Sequence, residues 1–293
     1  MSKFYSPLRY PGGKNCIFSF ISGIFYENNL LGANYAEPYA GGAGLALRLL
    51  FEGYVEKIYI NDFDRSIYSF WKVILNCPDE FCEWIEKIDV SISTWMKYRE
   101  IQKNKDISDE FELAKSTFFL NRTNVSGIIK GGPIGGVTQN GKYKINARFN
   151  KNDLTERIKN IKCVASRIEI SNLDGIKFLK KINNKNENIF IYLDPPYINK
   201  GSDLYMNFYS TKDHKNLSTA IKKIKKGWIV SYDNNDYILQ LYGINKKIIY
   251  QLSQSASNRV GDEILIFSNT IECSNSINHL KSPEYCLDYQ GAR

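Results

Sequence analysis

A motif of one acid, two prolines and a tyrosine has the residue types of a reaction centre. It follows residues 189–193, an apolar and uncharged run that Pro195 and Pro196 terminate. Such a run predicts a buried parallel strand, and open α/β sheets bind ligands at the carboxyl ends of their strands. Asp194 offers a carboxylate there, the prolines offer carbonyl groups without N–H donors, and Tyr197 offers an aromatic face. The set suits a ring that bears an amino group, such as a nucleobase, although a rigid turn after a strand has the same composition.

A glycine-rich turn near the start of the chain predicts a nucleotide-type binding element. Glu37 and Pro38 end a short predicted strand, and the turn around Gly42 leads into an apolar helix. A ligand can bind at such a helix amino terminus. The next predicted strand ends at Asp62, roughly twenty residues on, the spacing at which a carboxylate meets ribose hydroxyls. The glycines do not fit Gly-x-Gly-x-x-Gly, so an adenosine-bearing cofactor without a pyrophosphate is favoured over a dinucleotide.

The opening loop carries a possible anion-binding lysine. Residues 6–14 are rich in proline and glycine and precede a helical pattern that begins near Ile17. Gly12 and Gly13 allow close backbone approach, and Lys14 brings an ammonium group to the same place. The spacing of a P-loop is absent and no strand precedes the loop. Composition alone is equally typical of a surface loop.

One long segment without acids predicts a nucleic-acid contact. No acidic residue lies between Glu112 and Asp153, whereas seven lysines and arginines do. Asn140-Gly141 lies between two short alternating stretches and predicts a basic β-hairpin, which could enter a DNA groove and touch phosphates. A solvated basic face is the alternative. The residues expected to contact DNA are Arg122, Asn124, Lys130, Lys142, Lys144 and Arg148.

Composition limits the class of protein. The chain has 293 residues, of which 43% are hydrophobic and 24% charged, with a net charge of +8. It therefore resembles a soluble globular protein with a polyanionic partner, and neither a signal peptide nor a membrane span is evident. The six cysteines have no paired metal spacing, and two histidines make a metal site or a Ser/His/Asp triad unexpected. We expect a cytoplasmic protein that needs no metal.

The remaining elements alternate between helix and strand. Residues 65–120 have the spacing of helices with buried aromatic faces, and a helix beginning at Gly175 follows Asp174. The pattern predicts an α/β sheet into which a mainly helical segment with a β-hairpin is inserted. The later predicted strands are residues 167–172, 189–193, 228–232, 247–250 and 263–267, of which the last two suit an antiparallel hairpin.

Five motifs in this order resemble the DNA adenine methylase family. They are residues 8–14, 37–42, 61–62, 120–123 and 194–197, and the resemblance extends from Ser6 to about Asn269. It implies a Rossmann-like sheet that binds S-adenosylmethionine, with residues 1–64 and 160–293 as the catalytic domain and 65–159 as the target-recognition domain. The implied catalytic residues are Asp194, Pro195, Pro196 and Tyr197. The cofactor-binding residues are expected to be Tyr10, Lys14, Glu37, Pro38, Gly42, Asp62, Asp174 and Asp194.

The resemblance also implies a reaction. A methyl group would pass from S-adenosylmethionine to the N6 amino group of adenine in a short duplex DNA sequence, with the base flipped out of the helix. The implied enzyme acts as a monomer, either beside a separate restriction endonuclease or as a solitary or phage methylase. The alternatives are a silent DNA-binding module, and an amino-methyltransferase for cytosine, RNA or a protein amide. A nicotinamide-dependent oxidoreductase is the least favoured.

Overall fold

A mostly parallel β-sheet runs through the centre of the protein. The structure, a computed structural model, describes residues 4–9, 13–198, 209–254 and 259–286. These residues form an eight-stranded sheet with the order β3-β2-β1-β4-β5-β7-β6-β8. Strands β1 to β5 are parallel, and β7, β6 and β8 are each antiparallel to their neighbours. The strands are β1 (Asn34–Glu37), β2 (Ile58–Asn61), β3 (Ile168–Ser171), β4 (Ile189–Leu193), β5 (Trp228–Asp233), β6 (Lys247–Gln254), β7 (Arg259–Phe267) and β8 (Glu284–Tyr285).

The central strand β4 is covered on both faces. Side chains alternate along a strand, and those of β4 belong to two different apolar clusters. Phe190 and Tyr192 belong to one cluster, whereas Ile189, Ile191 and Leu193 belong to the other. Burial on both faces explains why the run carries no charge. The α/β fold class expected from the sequence is confirmed, as is the antiparallel pairing of β6 with β7.

Helices cover both faces of the sheet. Asp174 caps the start of α8 (Gly175–Asn183) by accepting hydrogen bonds from the backbone N–H groups of Ile176 and Lys177. Ser210 and Asp213 form a capping box at α9 (Thr211–Ile221). The side chains of α8, α9 and α10 join the cluster on one face, and those of α1 and α2 join the other. These helices are α1 (Phe18–Glu27), α2 (Gly44–Phe51), α8 (Gly175–Asn183), α9 (Thr211–Ile221) and α10 (Asp236–Leu241).

A long insertion between β2 and β3 is mainly helical, as the sequence predicts. Phe70, Trp71, Phe81 and Phe118 are buried in it and pack against one another in part as stacked and edge-to-face rings. They belong to the same cluster as α1 and α2, so the insertion covers that face. Its helices are α3 (Arg65–Asn76), α4 (Pro78–Lys87), α5 (Ile92–Lys103), α6 (Glu110–Thr123) and α7 (Lys151–Cys163).

The predicted β-hairpin at Asn140-Gly141 is wrong. Residues 137–145 contain turns instead of strands, and the 3₁₀ helix Ile145–Arg148 follows. The cause is Gln139, whose backbone is left-handed with φ of 54°. Its side-chain amide donates to the carbonyl of Ile134 (2.9 Å) and its Oε1 accepts from the backbone N–H of Ile145 (2.8 Å). The second of these bonds occupies the backbone N–H of Ile145 in the second predicted strand, and the first turns the Gln139 side chain back toward the residues before the predicted hairpin.

The polar tail completes the edge of the sheet. Ile277 and Leu280 are buried in the core, and β8 pairs with β6. No role for residues 273–293 was evident from the sequence. Among the described helices, none combines the length and the apolar character that crossing a bilayer requires.

Candidate active site

Asp194 lies at the carboxyl end of β4 among buried polar groups. Ser231 on the neighbouring strand donates a hydrogen bond from Oγ to Asp194 Oδ1 (3.0 Å), and the Lys14 ammonium lies 3.2 Å from the same oxygen. Burial raises the pKa of Asp194, and Lys14 opposes that rise. Pro195 and Pro196 are buried directly after it. This strand end therefore presents a carboxylate and carbonyl groups, as the motif predicts.

Tyr197 is joined to the opening loop through Lys14. The Lys14 Nζ donates to the Tyr197 hydroxyl (2.5 Å) and lies 5.1 Å from the centre of its ring. Tyr197 is buried and its ring is tilted against that of Tyr232 on β5. The structure thus brings three sequence-predicted site residues, Lys14, Asp194 and Tyr197, into one contact group.

A fourth member of this group, Glu263 on β7, was not predicted. Its Oε2 lies 3.2 Å from Lys14 Nζ, and its Oε1 accepts a hydrogen bond from the Tyr197 hydroxyl (3.0 Å). The sequence predicts Glu263 only as the first residue of the strand 263–267. The signal that could have identified it is its two-residue spacing from Leu265 and Phe267, both buried on one face of the sheet.

Glu37 lies at the end of β1, beside Asp194. It is 6% exposed and accepts a hydrogen bond from the Tyr35 hydroxyl (2.9 Å). Burial raises the pKa of Glu37 to about 8, and the charge of Asp194 contributes to the rise. The carbonyl of Pro38 accepts from the side chain of Asn61 (2.9 Å), which fixes the end of β1 to the end of β2.

Asp62 holds the glycine turn in place. Its Oδ2 accepts from the backbone N–H of Gly41 (2.9 Å) and its Oδ1 from that of Asp64 (2.9 Å). Burial, followed by the charge of Asp64, raises the pKa of Asp62 to about 7. Gly42 lies buried in the turn, and Phe63, which follows Asp62 in the chain, is 58% exposed. The glycine turn and the side chains of Asp62 and Phe63 therefore lie together at the carboxyl end of β2.

The remaining predicted cofactor residues are Asp174, which lies at the carboxyl edge of the sheet, and Tyr10. Asp174 follows β3 at the same edge of the sheet, and its Oδ1 caps α8 by accepting from the N–H groups of Ile176 (3.0 Å) and Lys177 (3.2 Å). Tyr10 lies outside the described residues. Four acids lie at or just beyond the carboxyl ends of four adjacent parallel strands, namely Glu37, Asp62, Asp174 and Asp194.

Two of the residues predicted to contact DNA have buried side chains. Arg122 is 8% exposed, and its guanidinium donates through Nε to the carbonyl of Arg148 (2.8 Å). Asn124 is fully buried, accepts from the Trp95 indole N–H (2.6 Å) and donates to the carbonyl of Ile128 (2.8 Å). Both side chains therefore bind backbone carbonyl groups inside the acid-free segment, residues 113–152, and hold its fold.

The other four predicted DNA contacts, Lys130, Lys142, Lys144 and Arg148, have exposed side chains. Arg9 was not predicted, yet its guanidinium donates to the carbonyl of Asn124 (3.3 Å). Burial, and then the charge of Arg148, lowers the pKa of Arg9. The opening loop thus adds a cation to the acid-free segment.

Asn121 fastens the opening loop to α6. Its Oδ1 accepts from the backbone N–H of Arg9 (2.7 Å), and its Nδ2 donates to the carbonyls of Arg9 (2.7 Å) and Gly127 (2.9 Å). Gly127 has φ of +78°, and a Cβ there would lie 2.4 Å from the Arg9 carbonyl oxygen. The loop that leads to Lys14 is therefore held by the segment that carries the basic residues. In the described parts of the chain, no three His, Cys, Asp or Glu side chains are grouped to hold a metal ion.

The chain is similar to known proteins over most of its length. The family model described as D12 class N6 adenine-specific DNA methyltransferase matches residues 10–256. Type II methyltransferase M.MjaIII of Methanocaldococcus jannaschii is 26% identical over 259 residues, covering 80% of this chain and 86% of that protein. Type II methyltransferase M.CviBI of Paramecium bursaria Chlorella virus NC1A is 25% identical over 253 residues, covering 79% and 86%. M1.LlaDCHI of Lactococcus lactis subsp. cremoris, also named a type II methyltransferase, is 24% identical over 247 residues, covering 78% and 80%.

Proposed function

The chain belongs to the D12 class of N6 adenine-specific DNA methyltransferases, and we propose that it uses S-adenosylmethionine to methylate adenine N6 in a short duplex sequence. The observation that carries this proposal is the position of Asp194. Its carboxylate follows the central strand, precedes two prolines and lies 3.2 Å from the ammonium of Lys14. Lys14 is distant from the motif in sequence and also donates a hydrogen bond to Tyr197 of the same motif. The family was expected from the order of the motifs, and that expectation is confirmed.

The predicted cofactor residues suit a ligand with an adenosine end and an amino-acid end. Asp62 offers a carboxylate to ribose hydroxyls, and exposed Phe63 offers an apolar face to a purine. Glu37 suits an ammonium group, because such a charge favours the ionised carboxylate and opposes the rise of its pKa, and Lys14 suits a carboxylate. S-adenosylmethionine, when bound, supplies an electrophilic methyl group on its sulfonium. The fit of these residues to both ends of that molecule supports it as the methyl donor.

The chemistry assigned to Asp194 is to activate the adenine amino group. That nitrogen is a poor nucleophile because its lone pair is delocalised into the ring. Hydrogen bonds from the amino group to the Asp194 carboxylate and the Pro195 carbonyl favour a pyramidal nitrogen with an available lone pair. Since burial raises the pKa of Asp194, its carboxylate is also a better acceptor for the proton that N6 must lose.

The target base must leave the DNA stack to reach Asp194, whose side chain is only 19% exposed at the carboxyl end of β4. We assign Tyr197 as the ring on which the flipped base stacks. Residues 65–159 are assigned as the target-recognition domain, and their exposed cations contact phosphates. Arg9 from the opening loop joins them, since it lies against the same segment.

The relatives' names support a place in a type II restriction-modification system. In that arrangement the methyltransferase works separately from a cognate endonuclease, and a monomer is sufficient because each strand is methylated in its own binding event. Purified enzyme should therefore run as a monomer with and without a duplex in analytical ultracentrifugation.

The proposed reaction is tested by expression in a methylation-deficient host and single-molecule sequencing of its DNA. N6-methyladenine confined to one short motif is the expected result, and it also supplies the target sequence. Asp194→Ala should lower turnover by roughly a hundred- to thousandfold or more while leaving duplex affinity almost unchanged. Unmodified adenine from folded wild-type protein would favour a silent DNA-binding module, and 4-methylcytosine would favour a different acceptor.

A further inference from the structure

The buried carboxylate of Glu263 is a part of the active site to which no function has been given. We propose that Glu263 is a positioning residue, which takes over the Lys14 ammonium when the target amino group replaces that ammonium on Asp194. The inference rests on the proposed function, because it concerns the same amino group.

The first step of the argument is that Lys14 occupies the place assigned to the target. An ammonium group and an adenine amino group are both N–H donors to a carboxylate. Lys14 Nζ lies 3.2 Å from Asp194 Oδ1 and 5.1 Å from the centre of the Tyr197 ring. These are the two groups assigned to bind the amino group and the face of the flipped base. Lys14 must therefore give up Asp194 before methyl transfer.

The second step concerns the cost of that exchange. The Lys14 side chain is 5% exposed, and a buried ammonium without a counter-charge is strongly unfavourable. Glu263 Oε2 lies 3.2 Å from the same nitrogen, and the Glu263 side chain is 4% exposed. Because a second carboxylate is already in contact, Lys14 can leave Asp194 and stay paired. Removing the charge of Glu263 strengthens the attraction between the ammonium and Asp194, so Lys14 competes more strongly with the substrate for that carboxylate.

The third step is that Glu263 cannot easily follow the lysine. In the sheet Glu263 pairs with Asp233 on β5 and with Tyr250 on β6, so its backbone is held on both sides. The Tyr250 hydroxyl donates to Oε2 (2.8 Å), and the Tyr197 hydroxyl donates to Oε1 (3.0 Å). Both carboxylate oxygens are thus fixed, and one of the bonds also orients the aromatic ring on which the base stacks.

The decisive variant is Glu263→Gln, which keeps the size of the side chain and removes its charge. Its matched control is Asp262→Asn, the same charge change on the adjacent residue of β7, whose side chain is exposed. We expect Glu263→Gln to lower kcat by roughly ten- to hundredfold, with the KM for duplex little changed. Asp262→Asn should match the wild type in both constants.

A binding measurement separates positioning from a purely structural role. Affinity is measured for the specific duplex and for the same duplex with purine, which lacks the amino group, in place of the target adenine. Comparing this affinity ratio between enzyme variants cancels the cost of opening each base pair. The preference for adenine over purine should fall in Glu263→Gln and stay at the wild-type value in Asp262→Asn.

Two more variants guard against a folding defect. Tyr250→Phe keeps every charge and removes one donor to Glu263, so we expect a smaller loss of kcat in the same direction. In the Lys14→Met variant, adding Glu263→Gln should change kcat little, because Glu263 acts through Lys14. Additive losses in that double variant would overturn the proposal. So would a wild-type kcat and base preference in folded Glu263→Gln, whereas wild-type enzyme that makes no N6-methyladenine would instead overturn the proposed function.

Discussion

Glu37 ties the stability of the fold to pH. Its pKa is about 8 in the folded protein because the carboxyl is buried, against an ordinary value of 4.5. Between these two values the folded state keeps a proton that the unfolded chain has lost. Stability from this group is therefore present at low pH and is lost as the pH rises through about 8. Asp62, with a pKa raised to about 7, acts in the same direction.

Glu37→Gln should remove most of this dependence, since the amide is neutral at every pH and can still accept from Tyr35. We expect the variant to match the wild type near pH 5 and to be more stable by roughly 3 kcal/mol near pH 8. Urea denaturation at several pH values measures the difference. Glu156→Gln, a change at an exposed helical position, is the control. Equal pH dependence in the wild type and Glu37→Gln would contradict the prediction.

The chemistry of single residues was predictable where it depends on sequence alone. Asp194 with its two prolines was recognisable because the apolar strand before them marks a sheet edge. Glu263 was missed because it is far from that motif in sequence and approaches Lys14 only through the pairing of β7 with β5. The burial of Arg122 and Asn124 was also missed, since a count of basic and polar residues does not report which side chains point inward.

At the scale of elements, the contact between the opening loop and the segment after α6 depends on Gly127. Gly127 and Gly136 both have left-handed φ angles, of +78° and +75°. A Cβ at Gly127 would lie 2.4 Å from the Arg9 carbonyl oxygen, whereas no atom lies within 4 Å of one at Gly136. Alanine at either position is strained by the left-handed backbone, and only Gly127→Ala also displaces the opening loop at Arg9.

We expect Gly136→Ala to lower the free energy of unfolding by about 1 kcal/mol and Gly127→Ala by about 3 kcal/mol. Chemical denaturation measures both. Because the displaced loop continues to Lys14, Gly127→Ala should also weaken binding of S-adenosylmethionine in calorimetry, and Gly136→Ala should not. Equal losses of stability in the two variants would mean that the approach to Arg9 is unimportant.

Elements were predictable where one pattern governs several residues together. The apolar runs of β4, β5 and β7 predicted strands because no competing backbone interaction is available to them. The alternating residues around Asn140-Gly141 also predicted strands, joined as a hairpin, and this prediction was wrong. There the side chain of Gln139 binds the backbone at Ile134 and Ile145. Whether such a side-chain bond forms depends on the folded course of the backbone, which a two-residue turn motif does not reveal.

At the scale of the whole molecule, the exposed cations of the acid-free segment should dominate the salt dependence of DNA binding. Each phosphate contact that is removed lowers the slope of log affinity against log salt by about 0.9. Lys142→Gln with Lys144→Gln should therefore lower the slope by roughly 1.8. Fluorescence anisotropy with the specific duplex at several salt concentrations measures it.

The matched control is Lys215→Gln with Lys223→Gln. Lys215 lies on α9, Lys223 lies just beyond it, both are exposed, and α9 covers the face of the sheet opposite the insertion. This pair carries the same change in net charge, and we expect the slope to stay at the wild-type value. A similar decrease in both double variants would show that net charge, rather than the acid-free segment, sets the affinity.

The path of the chain through the sheet has a consequence for how such enzymes diversify. The chain leaves the sheet after Asn61 and returns at Ile168, and β2 and β3 are direct neighbours with Ile58 opposite Ile168. Because the two strands are parallel, the insertion begins at the carboxyl end of β2 and returns at the amino end of β3, so both of its ends are fixed on neighbouring strands. Closing a longer or shorter excursion between these fixed ends changes the free energy only slowly with its length. Insertions, deletions and exchanges can accumulate there while Asp194, Glu263 and their strands keep their register. With the target-recognition role that we propose for this insertion, a lineage with this connectivity can acquire a new target sequence without rebuilding its reaction centre.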